Sequence, residues 1–304
     1  MILCAGEALI DMLPREATTG ENAFAPHAGG AVLNTAVALG RLDVPVQFFS
    51  GLSTDLFGDV LRAHLDASKV DSSVAAMSDR PTTLAFVTLT DGHASYAFYD
   101  ENTAGRMLSA PDLPDTSPDA LFVGGISLAV EPCAAAYEAL AAQHASDAVV
   151  MMDPNVRPSF IADESAFRAR MGRMIDYCDI VKMSDEDLAW FMPDETTEDA
   201  ARRVVEGGVK LLCITQGSTG VTGYSAEHEV FVPAKKAQVV DTVGAGDTFN
   251  AGLLASLHQA GILTKSAFAT LDPDVIGDAL TLGAKTAAIT VSRAGANPPW
   301  ASEL

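Results

Sequence analysis

The chain has 304 residues, 48% of them hydrophobic, and carries 40 Asp and Glu against 19 Lys and Arg, a formal net charge of −21. That apolar content is ample for a full core, in one large α/β domain or two small ones. The charge excludes a nucleic-acid binder, which needs a basic footprint, and would repel an anionic membrane; it says little about small anions, which local donors can hold.

The apolar start, MILCAGEALIDML, lacks a basic n-region and carries Glu7 and Asp11. It is read as no signal peptide, and its run Ile2–Ala5 as a buried strand. Helix Ala31–Leu39, strand Val46–Phe49 and helix Leu56–Ala67 are expected next. TTLAFVTLTDGHASYAFYDE, residues 82–101, breaks the rhythm. It reads as two strands joined by Asp91-Gly92, a strong hairpin signal, at a sheet edge or in a small flap. The turn-rich DLPDTSPDA, 112–120, reads as a joint between two halves of one domain. Beyond it, strands are predicted at Leu121–Val123, Ala148–Met152, Ile180–Met183 and Leu211–Thr215. They alternate with predicted helices at Cys133–His144, Glu164–Ile175, Thr197–Glu206, Thr248–Gln259 and Val275–Ile289. This alternation implies an α/β chain with a mainly parallel sheet covered on both faces. No uncharged run reaches the roughly 18 residues that span a bilayer. Cys4, Cys133, Cys178 and Cys213 have no metal-ligand spacing and read as reduced packing residues of a cytoplasmic protein.

Two stretches carry chemistry. In DTVGAGDTFNAG, residues 241–252, Gly244-Ala245-Gly246 strip side chains from a turn that opens into a helix. Bare N–H groups and the helix N-terminus make an anion site there. Asp247 at its rim is either a favourable carboxylate near a helix start or a general base beside a phosphoryl-binding turn. Familiar nucleotide motifs do not fit: Phe249 stands where GxGxxG needs its third glycine, and no GK[ST] occurs. The second stretch, GGAVLNTAVALGRLDVPVQFFSGLSTDLFG, runs from Gly29 to Gly58. Gly29-Gly30 makes a turn, and Asn34 falls one turn into a small-residue helix, where a short amide can reach a polyol.

Together, in this order and at this separation, the two stretches resemble the two signature motifs of the ribokinase-like carbohydrate kinases, the PfkB family, and most of all its fructokinase-like members. The resemblance runs from GEALIDMLP near the start to AAITVSRAGA near the end. It implies a single domain over 1–304, a doubly wound α/β core with lid strands inserted at about 12–28 and 82–106. It also implies a mechanism. Asp247 takes the proton of a sugar hydroxyl that attacks the γ-phosphorus of ATP, and the N–H groups of Gly244, Ala245 and Gly246 neutralise the transferring group. Asp11, Gly30, Asn34 and Phe98 are implied sugar contacts. Arg157, in DPNVRP, is placed near phosphoryl or sugar oxygens by the resemblance; otherwise it is a surface arginine pairing with Asp153. TQGSTG, from Thr215 through Gly217 to Gly220, matches the nucleotide loop or is an ordinary hairpin turn. Lys182 reaches ATP phosphates or snorkels, and Ala284 and Ala288 flank adenine or pack a helix.

One position departs from the family. Asn-x-x-Glu, which organises Mg²⁺ through water, is here Ser184 to Asp187, so Mg²⁺ is expected mainly on ATP and water, with Asp187 a candidate. Asp241 and Thr242 lie where a family K⁺ would bind. In YAFYDENTA, Asp100 stands where keto-deoxy-acid kinases tend to have arginine, so it would repel an acidic sugar. Neutral sugars are therefore favoured, D-fructose first, with 2-keto-3-deoxygluconate and ribose as alternatives. The expected partners are a sugar and ATP, with a homodimer through the exposed lid strands. Rival readings from other classes are a non-catalytic sugar or nucleotide sensor on the same fold and a dinucleotide-binding oxidoreductase. The intact Gly-Ala-Gly-Asp argues against the first, and LCAGEALID, which lacks the glycine fingerprint, against the second.

Overall fold

The computed structural model describes residues 1–90 and 93–304, without the side chains of 88–96. The expected Asp91-Gly92 turn and the ring of Tyr96 lie outside the described residues. Strand β1 (Ile2–Ala5) leads into β2 (Leu9–Glu16) and β3 (Asn22–Gly29), then helix α1 (Ala31–Arg41). Strands β4 (Val46–Phe49) and β5 (Gly51–Ser53), helix α2 (Leu56–Ala67) and β6 (Ala76–Ser78) follow. A hairpin of β7 (Leu84–Thr90) and β8 (His93–Tyr99) precedes β9 (Ala120–Gly124) and α3 (Cys133–His144). Next come β10 (Val149–Asp153), α4 (Glu164–Tyr177), β11 (Ile180–Ser184), α5 (Asp185–Phe191) and α6 (Thr197–Glu206). Strands β12 (Leu211–Thr215), β13 (Gly220–Tyr224) and β14 (Glu229–Pro233) lead to α7 (Ala245–Gln259), α8 (Lys265–Phe268) and α9 (Pro273–Val291).

The main sheet has the order β14-β13-β12-β11-β10-β9-β1-β4. Six of its strands are parallel, and β13 and β14 extend it antiparallel at one edge. Alternate residues of each buried strand feed opposite faces. Ile2, Cys4, Phe122 and Met151 meet α1, α7 and α9 on one side. Leu3, Ala5, Val123 and Met152 meet α3, α4 and α6 on the other. All four cysteines are free and buried. A separate four-stranded sheet, β3-β2-β7-β8, contains the expected hairpin and the strands of the segment expected at about 12–28.

The edge strands β13 and β14 and helices α5 and α8 were not anticipated. Thr215–Gly220 is the turn of the antiparallel β12–β13 pair, so the hairpin reading of TQGSTG is met. The predicted start of α7 at Thr248 is corrected to Ala245. Asp247 therefore stands within the first helical turn, not ahead of it.

Caps distinguish the helices. Asp55, Asp163, Ser184, Thr196, Thr264 and Asp272 each accept from first-turn N–H groups, as good N-caps do. Helices α1 and α7 begin instead at Gly30 and Gly244, with φ of 111° and 76°, and neither has a side-chain cap. A side chain at Gly244 is excluded twice over: its backbone is left-handed, and its Cβ would stand 2.7 Å from the Cβ of Ala296.

Candidate active site

The two side-chain-free helix starts meet. Asn34, on α1, donates from Nδ2 to Oδ2 of Asp247 on α7 at 2.8 Å, and Thr35 Oγ1 donates to the Asp247 carbonyl at 3.2 Å. Thr248 Oγ1 donates to the Gly244 carbonyl at 2.8 Å and locks the turn. The N–H of Ala245 is spent on Thr242 O at 3.3 Å. This corrects its expected part in the anion hole. The N–H groups of Gly244, Gly246 and Asp247 have no acceptor among the described residues. They are the free donors that a helix N-terminus presents to an anion.

Asp247 is buried, and burial raises its pKa to about 7. The Asn34 hydrogen bond opposes this, the nearby Asp153 charge adds to it, Lys182 opposes it and Glu7 adds to it. A carboxyl poised near neutrality can accept a proton from an alcohol and give it up again.

Beneath this turn lies a polar cluster whose members the sequence reading gave no such place. Asp153 Oδ2 accepts from Lys182 Nζ at 3.0 Å and from Asn250 Nδ2 at 2.8 Å, and its Oδ1 accepts from Asn155 N at 3.2 Å. Both partners of the Lys182–Asp153 pair are almost wholly buried. Burial works against the Lys182 ammonium, but the charge and hydrogen bond of Asp153 carry its pKa above the ordinary lysine range. A Cβ on Gly246 would stand 3.1 Å from Lys182 Nζ, so the ammonium lies directly under the α7 turn. Lys182 is a fixed buried cation, which corrects the snorkelling alternative.

Around the expected sugar contacts, Gly30 starts α1 and Glu7 closes it. Glu7 Oε1 accepts from Ala31 N at 3.0 Å, and Oε2 accepts from Ser127 N at 3.4 Å. Burial raises the pKa of Glu7. Asp11, on β2, is half-buried, and burial takes its pKa to about 6. Phe98, on β8, packs edge-on against Phe160, ring centroids 4.3 Å apart.

Asp100 overturns an earlier argument. It is buried and accepts from Thr83 Oγ1 at 2.9 Å, Thr103 Oγ1 at 3.2 Å and Arg106 Nη1 at 3.4 Å. The cavity beside it, about 20 Å³, has room for one water molecule and none for a sugar. Asp100 therefore braces the chain after β8 and presents no free carboxylate to a substrate.

A cleft of about 600 Å³ adjoins the α7 turn. Thr215, Gly217 and Gly220 line one wall, Ala284 and Ala288 of α9 another, and Ala245 and Gly246 its inner end. The nucleotide-binding candidates are thus brought together, except Lys182, which lies behind Gly246 and off the cleft wall.

Arg157 is not brought in. It is exposed and donates from Nη1 to the carbonyl of Val156 at 3.0 Å; Asp153, its expected alternative partner, is taken by Lys182. Asp187 is spent on backbone: Oδ1 accepts from Val156 N at 2.9 Å and Oδ2 from Ser184 N at 3.1 Å, closing a capping box at α5. Asp241 accepts from Val243 N at 3.0 Å and Gly295 N at 2.9 Å, clipping the loop before α7 to the segment after α9, while Thr242 is exposed.

The described residues contain no cluster of three side chains able to ligate a metal, and no helix is long and apolar enough to cross a membrane.

The family model described as pfkB family carbohydrate kinase matches residues 1–303. A fructokinase of Rhizobium leguminosarum bv. trifolii is 52% identical over 278 residues, covering 91% of this chain and 85% of that protein. The crystal structure of a Xylella fastidiosa fructokinase with bound ATP is 30% identical, with a TM-score of 0.89 over 97% of this chain and 93% of that one. A double mutant of the Vibrio cholerae O395 fructokinase, with fructose, ADP and potassium bound, is 25% identical, with a TM-score of 0.86 over 97% and 93% of the two chains.

Proposed function

The chain belongs to the pfkB family of carbohydrate kinases, and on that premise we propose that it transfers the γ-phosphoryl group of ATP to the primary 6-hydroxyl of D-fructose. The observation that carries the mechanism is the meeting of α1 and α7: a buried carboxylate of raised pKa, held by Asn34, within a helix turn whose N–H groups are free. Asp247 takes the hydroxyl proton as the sugar oxygen bonds to the γ-phosphorus and the bond from phosphorus to the bridging oxygen breaks toward ADP. Gly244 and Gly246 N–H groups neutralise the transferring oxygens, with the buried Lys182 ammonium beneath them. Gly30, Asn34, Asp11 and Phe98 frame the sugar.

Mg²⁺ would enter with the nucleotide, because a hard cation that keeps its waters and rides on phosphates needs no protein cage. When bound it shields charge on the β- and γ-phosphates. Asp187, with both oxygens on backbone N–H groups, would help to hold it only through water. A K⁺ at the Asp241–Thr242 segment is part of this reading; the potassium-bound Vibrio cholerae relative supports it.

The preference for fructose over keto-deoxy acids rests on the fructokinase relatives rather than on Asp100. A homodimer through the second sheet is supported by its exposed rings. Phe24 and Tyr99, 42% and 64% exposed, flank Phe86 with centroid distances of 5.0 and 5.4 Å. A second copy of this chain would cover them.

The test is ATP-dependent ADP release with Mg²⁺ over fructose, ribose, 2-keto-3-deoxygluconate, adenosine and fructose 6-phosphate. Fast release with fructose supports the proposal. Release with the keto-deoxy acid alone refutes the substrate and keeps the mechanism. Sugar-induced thermal stabilisation without turnover restores the sensor reading.

A further inference from the structure

The nucleotide cleft has no aspartate or glutamate among the described residues that line it, and its two charged side chains are adjacent lysines, Lys235 and Lys236. The chain as a whole has twice as many acidic as basic residues, so an acid-free wall with two cations is a local inversion of its charge. Both lysines lie on the segment between β14 and the Gly244 turn, and both are exposed. Lys182 and Lys265 are tied to Asp153 and Asp179, but neither Lys235 nor Lys236 has a carboxylate within 4.0 Å among the described residues. Their stems border a cleft that ends at Gly246, where the free N–H groups lie.

We propose that Lys235 and Lys236 form a phosphate-binding wall of this cleft, engaging the α- and β-phosphates while the α7 turn takes the γ-phosphoryl group. This rests on the kinase reading and deepens it. A net charge of −21 repels a nucleoside triphosphate at long range. Cations at the cleft mouth reverse the sign where the ligand enters, and flexible ammonium groups follow phosphate oxygens as point charges.

The test uses the full chain carrying K235Q and K236Q together, with K235R and K236R as the conservative pair and thermal melting as the check on folding. ADP and adenosine binding are measured calorimetrically at low and high salt, and the KM for ATP and for fructose kinetically. Each exposed contact is expected to count modestly, so the glutamine pair should weaken ADP and raise the KM for ATP roughly five- to tenfold. Its ADP affinity should also lose most of its salt dependence. Adenosine binding, kcat and the KM for fructose should hold within about twofold, and the arginine pair should restore ADP affinity. Unchanged ADP affinity, or adenosine weakened in step with ADP, overturns the proposal. Failure of the kinase reading is a separate result: it appears as wild-type chain that binds ADP but turns over no sugar.

Discussion

Replacing Asp247 with Asn should make the protein more stable and nearly inactive, and the stability gain should depend on pH. Burial lifts the Asp247 pKa from 3.8 to about 7. The folded state thus holds this proton across a range where the unfolded chain has released it. The sign follows from linkage: stability is fully present below the unfolded pKa and is lost as pH rises from about 4 through about 7. About three pH units at 1.36 kcal/mol each gives about 4 kcal/mol above pH 7, an upper figure because Lys182 and Asp153 are coupled to the same carboxyl. Asparagine keeps the shape and can still accept from Asn34 through Oδ1, without the buried charge. Melting temperatures of the two proteins should coincide below about pH 4 and diverge by several degrees at pH 8, at roughly 2 °C per kcal/mol for a chain of this size. Groups common to both proteins and not coupled to Asp247 cancel in the difference. ATP affinity should stay within a few-fold, while kcat falls at least about 10²–10⁴-fold. A melting difference that is flat with pH would refute the burial argument, and normal turnover by the variant would refute the assignment of the base.

Other outcomes follow from the same geometry. The wild-type kcat/KM for sugar should fall about tenfold per pH unit below an apparent pKa near 7, since the base must be ionised. Asn34→Ala, which removes a donor that favours the carboxylate, should move that limb to higher pH, read from pH–rate profiles. Gly244→Ala forces a Cβ against Ala296 in a left-handed backbone, and should cost about 1–3 kcal/mol in denaturant titrations as well as most turnover. Arg157→Ala should change kcat less than about threefold, because the side chain is exposed and bonds only nearby carbonyls. A loss above about a hundredfold would mean that substrate draws the Pro158 segment inward, as in lid closure.

The alternating framework was legible because fully buried parallel strands are continuous apolar runs, and β1, β10, β11 and β12 stand where such runs stand. The antiparallel edge was not legible: GVTGY and EVFVP are short and carry glycine and proline, so periodicity scarcely marks them. Asp247, Asn34, Gly244 and Gly246 could be read because a bare turn before a helix is a local signal. Asp153, Asn250 and Glu7 could not, because their partners are remote. Asp153 meets Lys182 across neighbouring strands and Asn250 from α7, and Glu7 reaches α1 and the segment after β9.

Yet the same rule that hid these residues also marks them. A charged side chain in a strand buried on both faces, such as Asp153 or Lys182, has no water to fall back on, so it must be paired. Here the pair sits under the first turn of α7, a helix start that combines a glycine cap with three N–H groups that have no acceptor among the described residues. Asp185, Glu186 and Asp187 are a dense acidic run, but Asp187 at its end serves a helix cap. Density of charge in a sequence thus points to solvated surface or capping, and an isolated charge inside an apolar run points to the floor of the site.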